Sequence, residues 1–306
     1  MTMDAALFES GLSNICGREN VRKAVPMSEH TTFRTGGPAD YFVSPGDRES
    51  YIKLISFLRQ SDSPFFILGR GSNILVGDKG YRGTVIDTSP GLSRVGIDGE
   101  IIEAEAGAGL SVVAGMAAEE ALSGMEFASG IPGTIGGAVF MNAGAYGGEM
   151  SQIVASVELM DQNGKVTTLR SDEMGFAYRT SIAQKKALPV ISVKIRLHRG
   201  DKDNITEKIK DLGRQRAEKQ PLEYPSAGST FKRPEGYFAG KLISDAGLSG
   251  HTLGGACVSP KHNGFIINMG NASSADILGL IKEVQETVRA KFGVELIPEV
   301  RIIGEF

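Results

Sequence analysis

The stretch GIPGTIGGAVFMNAGAYGG, residues 130–148, decides how the chain is read. It carries seven glycines, and few structural roles need so many. Residues without a Cβ let the main chain lie flat against a large planar or polyanionic ligand. A flexible Gly/Ser tether is the plain alternative. Ile131, Pro132, Val139, Phe140 and Met141 interleave the glycines, however, and a tether has no use for them.

A second cluster lies upstream. Phe65-Phe66-Ile67-Leu68 is a short apolar run that suits a buried strand, and the loop Gly69-Arg70-Gly71-Ser72-Asn73 closes it before Ile74-Leu75-Val76. The loop glycines allow backbone N–H groups to approach an anion. A pyrophosphate fits such a loop, and so does a simple tight turn with no ligand. The usual dinucleotide fingerprint is absent, because Ile74 stands where a third glycine belongs and no long helix pattern follows. Two glycine loops in one domain suggest a dinucleotide spanned between them.

Around these loops the pattern is mixed α and β. Tyr51, Leu54, Ile55 and Leu58 recur at helical spacing behind Pro45-Gly46-Asp47 and predict a helix over 47–60. Asn163-Gly164 between two apolar stretches predicts an antiparallel hairpin over 153–169. Ile191, Val193, Ile195 and Leu197 alternate with polar residues, as a strand with one wet face does. Polar residues 199–204 mark a domain boundary. Beyond it Ile205, Ile209 and Leu212 predict one helix. Ile277, Ile281, Val284, Val288 and Phe292 predict a longer one, with Ser273 and Asp276 as a capping box and Gly293 as the stop.

Composition narrows the function classes. With 306 residues the chain is long enough for two domains, and a net charge of −3 without a local basic cluster gives no footprint for nucleic acid. Cys16 and Cys257 are too few for a disulfide framework or a metal site and read as reduced thiols of a cytoplasmic protein. The N-terminal MTMDAALFESGL lacks the basic and apolar regions of an export signal, and no run is long enough to span a bilayer. Gly236 to Leu242 imitates a P-loop, but the spacing is one residue short and Leu242 offers no hydroxyl to magnesium.

Three residues outside the glycine loops have chemistry to offer. Ser229 lies in the hydroxyl- and cation-bearing stretch 224–234, but none of His30, His198, His251 or His262 makes a recognisable triad with it. Glu299 sits between Pro298 and an apolar run, where a structural ion pair is the default. Arg179 in Tyr178-Arg179-Thr180-Ser181 is by default a surface arginine.

Taken together, TTFRTGGPAD (31–40), GRGSNILV (69–76), the long glycine block, YRTS (178–181), PSAGSTFKRP (225–234) and PEV (298–300) resemble the UDP-N-acetylenolpyruvoylglucosamine reductase (MurB) family. The blocks occur in the family's order from about residue 30 to the C-terminus. The resemblance implies an α+β fold: an N-terminal segment (1–32), an FAD-binding domain of the vanillyl-alcohol oxidase type (33–199) and a smaller substrate domain (200–306). It implies contacts to non-covalent FAD from Gly69, Arg70, Gly71, Ser72 and Asn73, and from Gly130, Ile131, Pro132, Gly133, Thr134, Gly136, Gly137, Asn142 and Gly144. NADPH is the implied reductant and UDP-N-acetylglucosamine enolpyruvate the implied substrate.

The family's catalytic residues carry over onto Ser229 as proton donor, with Arg179 and Glu299 stabilising the carboxylate-bearing enol. Hydride adds to the vinyl methylene carbon and leaves negative charge spread into the carboxylate, where a fixed guanidinium helps most. Glu299 beside that anion must be protonated or paired. Some family members carry an inserted segment whose tyrosine closes over the nucleotide. The short span from Ser181 to Val190 leaves no room for it, so the chain resembles the shorter, second type. Lys219, Lys232, Arg233 and His262 are then candidates for holding the UDP group, each also readable as an ordinary surface or loop residue. The rival readings are an oxidase of the same fold and a nucleotide-sugar binder without turnover.

Overall fold

A computed structural model describes residues 4–306, so the first three residues of the N-terminal stretch assessed for export lie outside the described residues. Two compact units form, and they interleave along the chain. One takes the N-terminal residues through Lys23, Tyr41–Gly69 and Gly83–Gln215, and the other takes Ala24–Asp40, Arg70–Arg82 and Arg216–Phe306.

The spatial units therefore differ from the consecutive segments 1–32, 33–199 and 200–306. The pieces 24–40 and 70–82 belong with the C-terminal residues, and the later cut falls inside helix Lys202–Lys219 rather than at 200. Main-chain pairing recruits the early pieces. Strand Ile74–Val76 runs parallel to Arg301–Ile303. Gly37 N–H donates to Gly77 O, and Gly77 N–H donates to Ile303 O, both at 2.9 Å. Helix Lys202–Lys219 is continuous because its first turn is no breaker: Asp201 Oδ1 accepts the Asn204 N–H at 2.9 Å.

In the first unit a five-stranded antiparallel sheet has helices on both faces. Its order is Val166–Arg170, Val154–Met160, Val190–Arg196, Ile101–Glu105 and Val95–Asp98. Ile102, Ala104, Val157, Val193 and Ile195 pack with helices Leu110–Glu119 and Ile135–Met141. Met160 and Ile191 pack with helices Ala5–Cys16 and Arg48–Gln60. The predicted helix over 47–60 forms, with Asp47 and Ser50 capping each other and Tyr51, Leu54, Ile55 and Leu58 buried. The hairpin forms too, around the loop 161–165, in which Asp161 Oδ1 accepts the N–H groups of Asn163 and Lys165.

Strand Val190–Arg196 departs from simple alternation. The register with Val154–Met160 jumps from Glu158↔Ser192 to Leu159↔Val190, so Ile191 is the extra residue of a bulge. Ile191 therefore joins the core opposite to that of Val193 and Ile195. Ser192 is buried rather than wet, and its hydroxyl donates to Glu158, which also takes a two-pronged bond from Arg48. Burial on both faces pushes the Tyr51 phenol pKa well up while its hydroxyl donates to Val190 O at 3.3 Å.

The second unit is built around helix Ser274–Phe292, whose Ile277, Leu280, Ile281, Val284 and Val288 are fully or almost fully buried. The Ser273–Asp276 capping box and the left-handed Gly293 form where the sequence places them. Asp78, from the recruited segment, adds two further caps by accepting the N–H groups of Ser274 and Ala275 at 2.8 Å each. Strands Thr252–Leu253, Ala256–Val258 and Ile266–Asn268 pair in that order, and the helix packs on them. No helix among the described residues is long and apolar enough to cross a membrane.

Two glycines test the packing. A Cβ at Gly136 would stand 2.8 Å from Ala106 Cβ and 3.0 Å from Ala106 O, whereas one at Gly115, exposed in a helix, would meet nothing within 4 Å. In urea unfolding, Gly136→Ala is expected to cost about 1–3 kcal/mol. Gly115→Ala should stabilise by about 0.5–1 kcal/mol.

Candidate active site

The glycine block begins as a loop stitched to its neighbours by main-chain bonds. Leu110 N–H donates to Gly133 O, Ile135 N–H to Ala108 O, and Gly136 N–H to Ala106 O, at 2.8–2.9 Å. Thr134 caps the helix Ile135–Met141 by accepting the Gly137 N–H at 3.3 Å. These bonds use up the donors of the helix start, so this helix does not offer its own end to an anion.

The glycines here serve two different ends. At Gly69, Gly136, Gly144 and Gly148 an added Cβ would collide with Thr134, Ala106, the Gly148–Glu149 segment and Phe127 respectively. Those four are demanded by the protein's own packing. Gly133 and Gly137 are not: their nearest neighbours would be Ile131 Cγ2 at 3.9 Å and Thr134 Oγ1 at 3.4 Å, and neither has a positive φ. They leave a bare strip of main chain on the surface, the cradle that a large planar or phosphate-bearing group such as FAD requires. Gly69 touches Thr134, so in the first unit the end of one glycine loop abuts the other.

Arg70, Gly71, Ser72 and Asn73 fall in the second unit. Gly71 has φ +62°, and a Cβ would lie 2.0 Å from His30 O, so only glycine fits. Its carbonyl accepts the Thr32 N–H at 3.1 Å. Arg70 is exposed.

Asn142 is fully buried in the left-handed conformation that ends the helix. Its Nδ2 donates to Ala177 O at 3.2 Å and its Oδ1 accepts the Ser151 N–H at 2.9 Å. The side chain is thus committed to the protein, and only the Asn142 main chain is left to face a cofactor. Ser181 adds a bond from its hydroxyl to Phe140 O at 3.0 Å. Between these two anchors Ala177 and Thr180 exchange main-chain bonds in a tight turn.

At the turn's apex Arg179 adopts φ +56°, a conformation that costs a non-glycine residue roughly 1 kcal/mol. Its Nη2 donates to Gly144 O at 3.0 Å, and its guanidinium lies 5.0 Å from the Tyr178 ring centroid. The fold thereby brings Arg179 onto the glycine block, although 35 residues separate it from Gly144.

In the second unit Ser229 and Glu299 are brought together through Thr230. Glu299 N–H donates to Thr230 O at 2.8 Å, and Phe231 bridges Pro298 in antiparallel register. Thr230 N–H donates to Gly264 O, and its Oγ1 accepts the Ile266 N–H at 3.0 Å. Asn73 holds the far side of Glu299 by donating to its carbonyl at 3.2 Å. Ser229 itself is exposed after Gly228, whose φ is +75°, and Glu299 is half-buried.

The candidates for the UDP group are scattered in the second unit. Lys219 is exposed at a helix end. Lys232 is tied by its N–H to Ile297 O. Arg233 stacks 4.0 Å over the exposed Phe238 ring, and His262 is partly buried beside Phe265. Sequence reading passed over Thr230, and it named Thr134 as an FAD contact without its role as a helix cap. Thr134 was findable as a hydroxyl immediately before a helix start, whereas nothing in the sequence pairs Thr230 with residue 299.

The comparisons with known proteins fit this geometry. Residues 39–170 match the family described as FAD binding domain, and residues 220–303 match the C-terminal domain of UDP-N-acetylenolpyruvoylglucosamine reductase. The chain is 55% identical over 280 residues to the UDP-N-acetylenolpyruvoylglucosamine reductase of Caldanaerobacter subterraneus subsp. tengcongensis, covering 92% of each. The crystal structure of the reductase from Thermus caldophilus is similar with a TM-score of 0.80 and 34% identity, over 92% of this chain and 99% of that one. The glucose dehydrogenase Phl p 4.0202, at 15% identity and a TM-score of 0.50 over 64% of this chain and 44% of that one, shares the fold alone.

The protein is an FAD-containing oxidoreductase with an FAD-binding domain in an α+β fold. It belongs to the UDP-N-acetylenolpyruvoylglucosamine reductase (MurB) family.

Asn142 offers a direct test of how the first unit anchors the Arg179 turn. Asn142→Ala leaves the Ser151 N–H without its acceptor and frees the 177–181 turn. It is expected to cost about 1–3 kcal/mol in urea unfolding, and to expose that turn to limited proteolysis.

Proposed function

We propose that this chain catalyses the NADPH-dependent reduction of UDP-N-acetylglucosamine enolpyruvate to UDP-N-acetylmuramate, a step of peptidoglycan precursor synthesis, in the cytoplasm. The observation that carries this reading is the pairing of Ser229 with Glu299 through Thr230. An oxidase of the same fold needs no such pair, and a binder without turnover has no use for a proton donor.

The chemistry that FAD supplies when bound is transfer of hydride from NADPH to the vinyl methylene carbon. The residues assigned to its non-covalent binding are those of 69–73 and the block from Gly130 to Gly144, with Gly133 and Gly137 giving the closest main-chain approach. The protein's own part is to manage the negative charge that hydride addition creates. Arg179, aimed by its bond to Gly144 O, meets the charge developing on the substrate carboxylate. Ser229 donates its hydroxyl proton to the carbon next to that carboxylate. A serine is a weak acid, but a strongly basic carbanion needs only a donor within hydrogen-bond reach, and the clamp on Thr230 supplies the placement. Glu299, beside an anion, acts in a protonated or paired form. Division of labour follows the sequence segments, with 33–199 serving FAD and 200–306 the substrate.

The substitution Ser229→Ala is expected to leave the flavin bound and its reduction by NADPH intact. It should slow substrate reduction by at least the ~10²–10⁴-fold typical of acid catalysis. Turnover near that of the unmodified protein would remove Ser229 from the mechanism.

A further inference from the structure

His262 is fixed in one tautomer by its own loop. Gly264 N–H donates to the ring Nδ1 at 3.2 Å, so Nδ1 carries no proton and the neutral ring bears it on Nε2. The ring meets Phe265 edge-on with centroids 4.8 Å apart. It lies so close to Gly264 that a Cβ there would stand 3.0 Å from Cε1. Burial holds the imidazole pKa below the usual histidine value, with a backbone hydrogen bond opposing it in part.

The loop around the ring is closed by main-chain bonds. Phe265 N–H donates to His262 O and Ser259 N–H donates to Phe265 O, both at 2.9 Å. Gly264 is therefore held from two sides: its N–H by His262, and its carbonyl by the N–H of Thr230 at 2.8 Å. Thr230 is the residue next to Ser229. A second proton on His262 would put an N–H where the Gly264 N–H now donates, and two donors cannot share that place.

We propose that His262 is a positioning residue for Ser229, its unprotonated Nδ1 holding Gly264 and Gly264 holding Thr230. This rests on the reading of Ser229 as proton donor. Turnover then requires the neutral imidazole and falls as pH drops through the His262 pKa. Because that pKa is lowered, the acid limb lies below the ordinary histidine value of about 6.5.

The charged groups on the segments packed against this loop are few. Lys261 turns to Ala217 O and Glu223. Lys241 and Asp245 pair on helix Ala239–Asp245, whose Gly240 approaches Gly264. Lys232 and Glu299 lie on the bridged segments beside Thr230. All of them remain when only the imidazole is changed.

The test is the pH profile of kcat for the full-length, FAD-loaded enzyme and two variants. In His262→Asn, the amide oxygen takes the place of Nδ1 and does not titrate. This variant should lack the acid limb of the kcat profile, whatever the height of its plateau. His262→Leu has no acceptor, and its kcat should fall by about tenfold, the worth of one hydrogen bond, with flavin absorbance and KM for NADPH unchanged. An acid limb that persists in His262→Asn, or a normal kcat in His262→Leu, overturns the inference. Ser229→Ala measured alongside keeps the two ideas apart. If it is slow while His262→Leu is normal, only the inference about His262 fails, and if Ser229→Ala turns over normally, both fail.

Discussion

Every polar atom of Thr230 is engaged: its N–H by Gly264 O, its carbonyl by the Glu299 N–H, and its hydroxyl by the Ile266 N–H. The residue is fully buried, and a buried polar group left without a partner costs about 1–3 kcal/mol, so none of the three bonds is free to drift. That constraint fixes the exposed Ser229 beside it and ties Glu299 to the same ladder. Asn73 extends the arrangement by holding the Glu299 carbonyl and, through its own carbonyl, the Arg301 N–H. The second unit thus carries Ser229 and Glu299 on a main-chain lattice rather than on side-chain contacts.

The first unit meets the same need by a different route. Arg179 is held at a strained backbone position by bonds from its turn to Phe140, Asn142 and Gly144, all from one short segment. Strain of this kind persists only where the surroundings determine it several times over. The glycines of that segment divide into those that let neighbouring chain pack closely and those that expose bare main chain. Only the second kind speaks for a ligand.

Much of this was legible from local pattern. Helix Arg48–Gln60, helix Ser274–Phe292 and the hairpin at Asn163-Gly164 follow from periodicity, capping and turn residues, which act over a few positions. Ile191 was misplaced because a bulge depends on the partner strand, which alternation in one strand cannot report. The grouping of segments 24–40 and 70–82 with the C-terminal residues was not legible for a similar reason: strand Ile74–Val76 pairs with Arg301–Ile303 across more than 200 residues, and Gly37 joins through Gly77. Asn142 was named as an FAD contact by the resemblance alone, and what the sequence did not show is that its buried amide joins a helix end to two turns. The site's residue types came from the resemblance to the MurB family, and the order in which they hold one another came from the structure.

The most direct test of the account is an anaerobic one. The purified protein is reduced with NADPH until the flavin absorbance is bleached, UDP-N-acetylglucosamine enolpyruvate is added, and the absorbance is followed. Rapid return of the oxidised flavin spectrum with formation of the lactyl product is the predicted result. A flavin that stays reduced until oxygen is admitted would contradict the account and favour an oxidase.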